Sequence, residues 1–146
     1  ELNLINGILH AQIISNKKEC FIIELTRRCS GDLYPLPVEF ISNVPWSEII
    51  IKNFMGMEVD IIEKSRPNKF YGRHCLTANK NGVAKNIFID SSIEQNIVFR
   101  IVFLRNKQVV NDFENQKYGV YVLRFKTKKE MMYKMNLINK LIYIKT

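Results

Sequence analysis

The sequence has no long hydrophobic run and no cysteine framework, and these two absences exclude several classes of protein. Its apolar stretches fall far short of the roughly 20 residues that a transmembrane helix needs, so we expect no membrane partner. Its 146 residues include three cysteines, an odd number. Cys20, Cys29 and Cys75 show no CxxC spacing and no neighbouring histidine ladder. We therefore expect reduced thiols in a cytoplasmic protein, not disulfides or a zinc site.

The composition fits one globular domain, with 47% hydrophobic and 25% charged residues. The 22 Lys and Arg exceed the 14 Asp and Glu by 8. This charge is scattered and does not follow one periodic face, so a solvated surface is favoured over a nucleic-acid interface. The first residue is Glu1 and not Met, and ELNLI is typical of the last turns of an amphipathic helix. We therefore expect the chain to be a fragment of a longer protein.

Two β-rich segments near the beginning of the chain predict a β-hairpin. GILHAQIIS (residues 7–15) and CFIIELT (residues 20–26) are rich in β-branched residues, and the polar residues 16–19 separate them. Side chains alternate between the two faces of a strand. One face of the hairpin is therefore wholly apolar and is predicted to be core; it comprises Leu9, Ala11, Ile13, Phe21, Ile23 and Leu25.

The other face of the predicted hairpin carries polar side chains among apolar ones. His10, Gln12 and Ile14 share this face on the first strand, and Glu24 and Thr26 share it on the second. A carboxylate among apolar neighbours has to be paired, bound to a metal or neutralised, because burying an uncompensated charge is costly. Glu24 is therefore the residue that most needs an explanation.

Spacing alone leaves two explanations for Glu24 open. Magnesium prefers oxygen ligands, usually one or two carboxylates together with phosphate oxygens and water. A magnesium-nucleotide complex could be bound by Glu24, the Gln12 amide and the Thr26 hydroxyl. The Arg28 guanidinium can bind phosphate or carboxylate through two parallel hydrogen bonds. The other explanation is a structural ion pair between Glu24 and Arg28 at the end of the strand.

The middle of the chain predicts helices, a surface segment and a second hairpin. We expect a short helix within residues 33–41 and another from Trp46 to Met55, ended by Gly56. The polar residues 63–69 indicate a linker or surface loop. The dipeptide Asn81-Gly82 predicts a hairpin turn between the segments YGRHCLTA and VAKNIFI.

The end of the chain predicts two more strands and a closing helix. NIVFRIVFL (residues 96–104) and VYVLRF (residues 120–125) are rich in β-branched and aromatic residues. Thr127 precedes Glu130 with the spacing of a capping box. Helical spacing on one face then predicts a single amphipathic helix, with the apolar residues Met131, Met135, Ile138 and Ile142.

Residues 7–34 resemble the metal-binding hairpin and following loop of the ATP-grasp superfamily. That pattern has an acidic residue, a turn, and then Glu-x-Asn-x-Arg before a Gly-rich stretch; here GILHAQII precedes the turn and CFIIELTRRCSGDLYP follows it. ELTRRCSGDLYP is similar to carbamoyl-phosphate-synthase-like and biotin-carboxylase-like carboxylate ligases. FYGRHCLTANKNGVAKNI and VYVLRFKTKKEMMYKMNLINKLI also resemble the C-terminal strands and closing helix of these proteins.

The resemblance implies a fold and a domain organisation. The fold is α+β, a largely antiparallel sheet with helices packed on one side, and corresponds to the C-terminal part of an ATP-grasp domain. Residues 1–62 would hold the metal-binding hairpin and the following helices, and residues 63–146 the C-terminal strands and closing helix of the same domain. The sequence contains neither the family's upstream ATP-binding subdomain with its glycine-rich lid nor a Walker-type motif.

The resemblance also implies roles for individual residues. Glu24 matches the motif acid, which binds Mg²⁺ between the phosphates of ATP. Gln12 stands where the family usually has its other metal-binding acid, and Thr26 stands where it has Asn, so metal binding should be weaker. Arg28 matches the motif Arg, which acts in catalysis by neutralising the transferred phosphate. Ile14 matches an apolar position that packs on adenine.

The implied activity is ATP-dependent ligation of a small carboxylate to an amine or a related nucleophile. The carboxylate attacks the γ-phosphate, and the nucleophile then displaces phosphate from the resulting acyl phosphate. Arg27 is a weaker candidate for phosphate binding, and the loop at Ser30 and Gly31 offers backbone N–H groups to an anion. We expect the isolated chain to fold without binding ATP tightly or turning over. The alternatives are a degenerate ATP-grasp scaffold, favoured by Gln12 and Thr26, and a basic nucleic-acid-binding module.

Overall fold

The computed structural model describes residues 7–16, 18–59 and 69–146. The chain divides into Glu1–Arg66 and Pro67–Thr146, which we call the N-terminal unit and the C-terminal unit. The expectations for residues 1–5 and for the linker at 63–68 lie outside the described residues. Within the described ranges, no helix combines the length and the apolar character needed to cross a bilayer.

The N-terminal unit begins with the predicted hairpin and continues with two helices. Strands β1 (His10–Ser15) and β2 (Cys20–Thr26) pair antiparallel, which confirms the hairpin. The side chain of Asn16 fixes the turn, because its Oδ1 accepts hydrogen bonds from the backbone N–H groups of Lys18 and Glu19, both at 2.8 Å. Helices α1 (Pro35–Ser42) and α2 (Trp46–Phe54) pack against each other.

Local sequence explains where the two helices begin and end. Proline in the first turn of α1 has no N–H to leave unsatisfied there. Asn43 ends α1 in the left-handed conformation, with φ of 54°, and Gly56 lies in the same region, with φ of 68°, just after α2. Both predicted helices are therefore present, and Gly56 follows α2 as its spacing indicated.

The apolar face of the hairpin is not core in the described structure, so that prediction is wrong. The pairing register passes from Gln12 opposite Glu24 to Ile13 opposite Ile22, and it skips Ile23. Such a bulge shifts the alternation of faces on one strand relative to the other. The two strands also form a sheet of their own, and their apolar side chains stay exposed on both sides of the bulge: Leu9, Ile13, Ile14, Phe21, Ile22, Ile23 and Leu25.

The C-terminal unit contains antiparallel strand ladders and three short helices. Its largest sheet has the order β3-β8-β6, formed by Phe70–Leu76, Gly119–Phe125 and Ile97–Val102. Two further pairs join β4 (Gly82–Val83) to β7 (Val109–Val110) and β5 (Asn86–Ile89) to β9 (Ile142–Lys145). The helices are α3 (Ser91–Glu94), α4 (Lys128–Asn136) and α5 (Ile138–Leu141). The predicted α+β class with antiparallel sheets is confirmed.

The core of the C-terminal unit surrounds the central strand β8. Its fully buried side chains include Tyr121, Leu123, Phe125, Leu76, Ile93, Ile142 and Ile144. A close approach of two strands explains Gly119 at the start of β8, because a Cβ there would lie 2.5 Å from the carbonyl oxygen of Ile101. Helix α4 packs on β3 and β8. Its predicted cap is present, since the Thr127 hydroxyl accepts from the N–H of Glu130 at 3.1 Å.

Two predictions for the C-terminal unit are wrong. The strands on either side of Asn81-Gly82 do not pair with each other, because β3 pairs with β8 and β4 pairs with β7. The closing helix is also interrupted: α4 ends at Asn136, and the last residues, Ile142–Lys145, form strand β9. The sequence IYIK alternates apolar and less apolar residues, and the ladder partner β5 selects the strand over continuation of the helix.

Candidate functional site

An open groove of about 610 Å³ on the N-terminal unit contains most of the predicted site residues. It lies beside the polar face of the hairpin and the loop that follows β2. We call it the Glu24 groove, and its described lining comprises His10, Gln12, Glu24, Arg28, Ser30, Gly31, Asp32, Tyr34 and Val38.

Strand pairing places Gln12 directly opposite Glu24 in the groove. The two residues are register partners, and the next pair on the same face is His10 with Thr26. Directly opposed residues of an antiparallel pair have Cβ atoms about 5 Å apart. An amide oxygen and a carboxylate can therefore approach one cation from the two strands.

Glu24 is exposed, so the argument from burial that first singled it out is wrong. The hairpin is a separate two-stranded sheet, and its polar face opens into the groove. In the described part of the chain, Glu24 and Arg28 form no ion pair, which excludes the alternative explanation for Glu24. The Nη1 of Arg28 instead donates a hydrogen bond to the carbonyl oxygen of Cys29 at 3.1 Å.

Two predicted site residues are not among the described residues that line the Glu24 groove. Thr26 is half-buried and shares the face of Glu24 by strand register, one pair further along the ladder. Ile14 lies beyond the bulge, opposite Phe21, and its side chain is 60% exposed. The structure thus brings Gln12, Glu24 and Arg28 together and leaves Ile14 on the exposed part of the hairpin.

Asp32 lines the same groove, and the sequence did not identify it as a site residue. The segment Ser30, Gly31, Asp32 indicates only a chain break and a helix cap from sequence. Asp32 has a left-handed backbone with φ of 59°, and Leu33 follows with φ of 57°. Asp is among the residues that tolerate this conformation. The positive φ values fall in the turn that leads from the hairpin into α1.

The donor set of the groove fits a magnesium ion that arrives with phosphate groups. Among the described residues, no cluster of three or more His, Cys, Asp or Glu side chains is close enough to hold a metal ion. Magnesium is usually bound in nucleotide sites by one or two carboxylates, with phosphate oxygens and water completing its shell. Glu24 and Gln12 satisfy that requirement, and an ion held by protein ligands alone does not fit.

Arg73 and His74 line a separate groove in the C-terminal unit, but His74 has a structural role there. Its side chain is 4% exposed, and its Nε2 lies 2.9 Å from the carbonyl oxygen of Ile142, which links β3 to β9. Burial lowers the pKa of His74, and the hydrogen bond to Ile142 opposes this effect. The Nη1 of Arg73 contacts Sγ of Cys75 at 3.0 Å.

Comparison with known proteins gives matches to solved structures. No protein-family model matches the sequence, and no curated protein matches it. The structure is similar to a phosphoribosylglycinamide synthetase from Anaerococcus prevotii, with a TM-score of 0.76, 23% identity, and coverage of 98% of this chain and 38% of that one. It is also similar to an L-amino acid ligase from Bacillus licheniformis, with a TM-score of 0.74, 14% identity, and coverage of 94% and 36%.

A third match is a biotin carboxylase from Campylobacter jejuni, solved as a complex with beta-gamma-ATP. Its TM-score is 0.69 at 16% identity, and the alignment covers 94% of this chain and 32% of that one. The fold is that of part of an ATP-grasp domain. The chain spans between about a third and two fifths of the length of these ATP-grasp structures, and at these identities the likeness shows the fold alone.

Proposed function

We propose that this chain is the C-terminal part of an ATP-dependent carboxylate-amine ligase, or of a related ATP-grasp ligase. The observation that carries the proposal is the opposition of Gln12 and Glu24 across the hairpin, in a groove that Arg28 also lines. The ATP-grasp fold places a hairpin of this kind beside the nucleotide in the family that the sequence resembles. ATP and Mg²⁺ are the proposed cofactors, and a small carboxylate and a nucleophile are the proposed substrates.

Glu24 and Gln12 supply the protein ligands for magnesium in this proposal. Mg²⁺ neutralises the negative charge that builds up on the phosphate oxygens during transfer. The Glu24 carboxylate and the Gln12 amide oxygen are the groups that would hold the ion. Thr26 is one pair further along the same face, and its hydroxyl would be a third, more distant ligand.

Arg28 provides the second positive charge of the proposed site. Its guanidinium lines the Glu24 groove, and the hydrogen bond to Cys29 anchors one end of it to the loop. Phosphoryl transfer depends on charge neutralisation and in-line positioning more than on a protein base. The substrate carboxylate attacks the γ-phosphate and releases ADP, and the nucleophile then displaces phosphate from the resulting acyl phosphate. Neither step therefore needs a histidine or serine from this chain. Ile14 remains a proposed contact for adenine.

Substitutions at Glu24 test the proposal in a longer protein that supplies the rest of the ATP-grasp domain. Glu24→Ala should lower turnover by about 100-fold or more, because it removes the only acidic ligand proposed for magnesium. Glu19→Ala is the matched control, since it removes the same charge from the hairpin turn. ATP-dependent release of phosphate measures both variants, and circular dichroism checks their fold. Equal turnover in the two variants would contradict the proposal.

The isolated 146-residue chain is proposed to be inactive. It spans less than two fifths of each solved structure that it resembles. Isothermal titration of the chain with Mg-ATP should show no tight binding, and the same titration on the longer protein should show it. Tight binding by the short chain would refute this part of the proposal.

A non-catalytic scaffold is the second candidate. Gln12 and Thr26 stand in place of the family's acid and Asn, so the described groove offers one acid of the motif. If the protein is a scaffold, the longer protein shows no ATP-dependent turnover that Glu24→Ala could lower. Gln12→Glu separates the candidates further, because a second carboxylate should strengthen magnesium binding only where the site already holds the ion.

A further inference from the structure

A second groove of the N-terminal unit brings Arg27 and Arg28 to one rim. It has a volume of about 330 Å³ and lies between the end of β2 and helix α2; we call it the Arg27 groove. Neighbouring residues of a strand point to opposite faces. Strand β2 ends at Thr26 and the chain bends at the two arginines, and both of them therefore line the same groove.

Local backbone geometry positions the two guanidinium groups. Gly7 has φ of +114°, a conformation that glycine adopts readily, and a Cβ there would lie 2.8 Å from Nη2 of Arg27. The glycine thus leaves the space that the guanidinium of Arg27 occupies. Arg28 is held from the other side by its hydrogen bond to the carbonyl of Cys29. The rim therefore presents planar cationic groups in defined places.

The other wall of the Arg27 groove is apolar. Ile8 and Ile50 are half-buried, and Phe54 stands at the end of α2 with its side chain 80% exposed. The groove thus combines positive charge on one side with an aromatic and aliphatic surface on the other.

We propose that the Arg27 groove binds a carboxylic acid that carries an apolar or aromatic group. The guanidinium group of arginine binds a carboxylate through two parallel hydrogen bonds, and the apolar part of the acid packs on Phe54. The volume falls within the range of small-molecule sites, about 300 to 1,000 Å³. Arg28 lines both grooves, so the bound acid lies next to the Glu24 groove. Its identity as the ligase's acid substrate rests on the proposed function, whereas its binding does not.

Isothermal titration of the 146-residue chain with three probes tests the chemistry, without nucleotide or magnesium. Phenylacetate carries both required features, phenylacetamide lacks the charge, and acetate lacks the apolar body. Phenylacetate should bind about tenfold more tightly than either of the others. Equal affinity for phenylacetate and phenylacetamide overturns the proposal, as does the absence of phenylacetate binding. Tighter binding of phenyl phosphate also overturns it, because the groove is then a phosphate site.

Variants of the groove test the location. Arg27→Gln should weaken phenylacetate binding about tenfold, because a charge-assisted hydrogen-bond pair is lost. Phe54→Ser should weaken it as well, and because Phe54 is exposed this change does not threaten the fold. Lys18→Gln, in the hairpin turn, is the control that removes one positive charge elsewhere in the N-terminal unit. Unchanged affinity in both groove variants overturns the location.

The acid site and the ligase activity can be refuted independently of each other. If the chain binds phenylacetate through Arg27 but turnover of the longer protein does not need Glu24, the acid site is supported and the ligase proposal is refuted. If turnover of the longer protein needs Glu24 but the chain does not bind phenylacetate, the ligase proposal is supported and the acid site is refuted.

Discussion

The two units of the chain differ in how much apolar surface they bury. In the C-terminal unit, strand β8 is buried along most of its length, and Leu123 is fully inaccessible to solvent. In the hairpin of the N-terminal unit, Ile22 is 64% exposed, and its apolar neighbours are similar. Both units nevertheless contain well-formed antiparallel ladders.

Because of this difference in burial, most of the stabilising core lies in one unit and the proposed ligand-binding residues lie in the other. Free energy from apolar burial follows the area removed from water, so the C-terminal unit gains far more of it than the hairpin does. An isolated two-stranded hairpin is only marginally stable in water. The Glu24 groove and the Arg27 groove both lie on the N-terminal unit. The residues proposed to bind ligands are therefore carried by the unit with the smaller described core.

Truncation of one apolar side chain in each unit should give the largest difference in stability between the units. Leu123→Ala should lower the free energy of unfolding by about 2 to 5 kcal/mol, because it leaves a cavity in the core. Ile22→Ala should change it by about 0.5 kcal/mol or less, because the side chain is already in water. Urea unfolding followed by circular dichroism measures the first variant. Trp46 is the single tryptophan of the chain and belongs to the N-terminal unit, so its fluorescence measures the second. A large loss of unfolding free energy for Ile22→Ala would contradict the difference in apolar burial between the units.

Two glycines, one in each unit, should differ in the same way when each is replaced by alanine. Gly119→Ala should lower the free energy of unfolding by about 1 to 3 kcal/mol, because the new Cβ would meet the carbonyl oxygen of Ile101 at 2.5 Å. Gly31→Ala is the matched change in the N-terminal unit, where a Cβ would meet nothing within 4 Å. Urea unfolding of both variants checks the contrast, and equal losses would show that the close approach of the strands at Gly119 is not needed.

The smallest expected effect is a pH dependence confined to the C-terminal unit. The pKa of His74 is lowered by burial from its ordinary value of 6.5. The unfolded chain therefore takes up the proton first as the pH falls. The stability that neutral His74 contributes is complete above 6.5 and is lost as the pH falls below that value. Urea unfolding at a series of pH values measures this loss.

Exchange of each histidine identifies the source of that pH dependence. His74→Gln should flatten the dependence, because glutamine can donate to Ile142 without titrating. His10→Gln should leave it unchanged, since His10 is on the hairpin and lines the Glu24 groove. If His10→Gln flattened the dependence instead, the assignment to the buried histidine would be wrong.

Local patterns predicted the hairpin and the two helices after it because short-range chemistry determines them. Asn16 and its neighbours form the turn, and Gly56 follows the second helix, from interactions within a few residues. The predictions of a hairpin turn at Asn81-Gly82 and of a continuous closing helix were wrong for a different reason. The partners of β3 and β5 are β8 and β9, which lie more than 40 residues further along the chain. No pattern around residue 81 contains that information.

In the candidate site, too, features set by the local pattern could be predicted, and features that depend on the wider structure could not. Alternation along the strands placed Gln12 and Glu24 on one face of the hairpin, and the register of the structure pairs them directly. The bulge at Ile23 could not be predicted, because the same β-branched run fits either register. The positive φ of Asp32 and the bend at Arg27 also depend on the loop as a whole. These features add an acid to one groove and a second arginine to the other.

The order of strands in the C-terminal unit has a consequence for how the protein emerges from the ribosome. Strands β3 and β6 both pair with β8, and β5 pairs with β9, more than 50 residues further along the chain. The central strand is thus translated after both of its neighbours, and non-local pairings of this kind form slowly. Nascent β3 and β6 must remain without their ladder partner until residue 119 and beyond have left the exit tunnel, so this sheet forms only after its central strand has emerged rather than progressively.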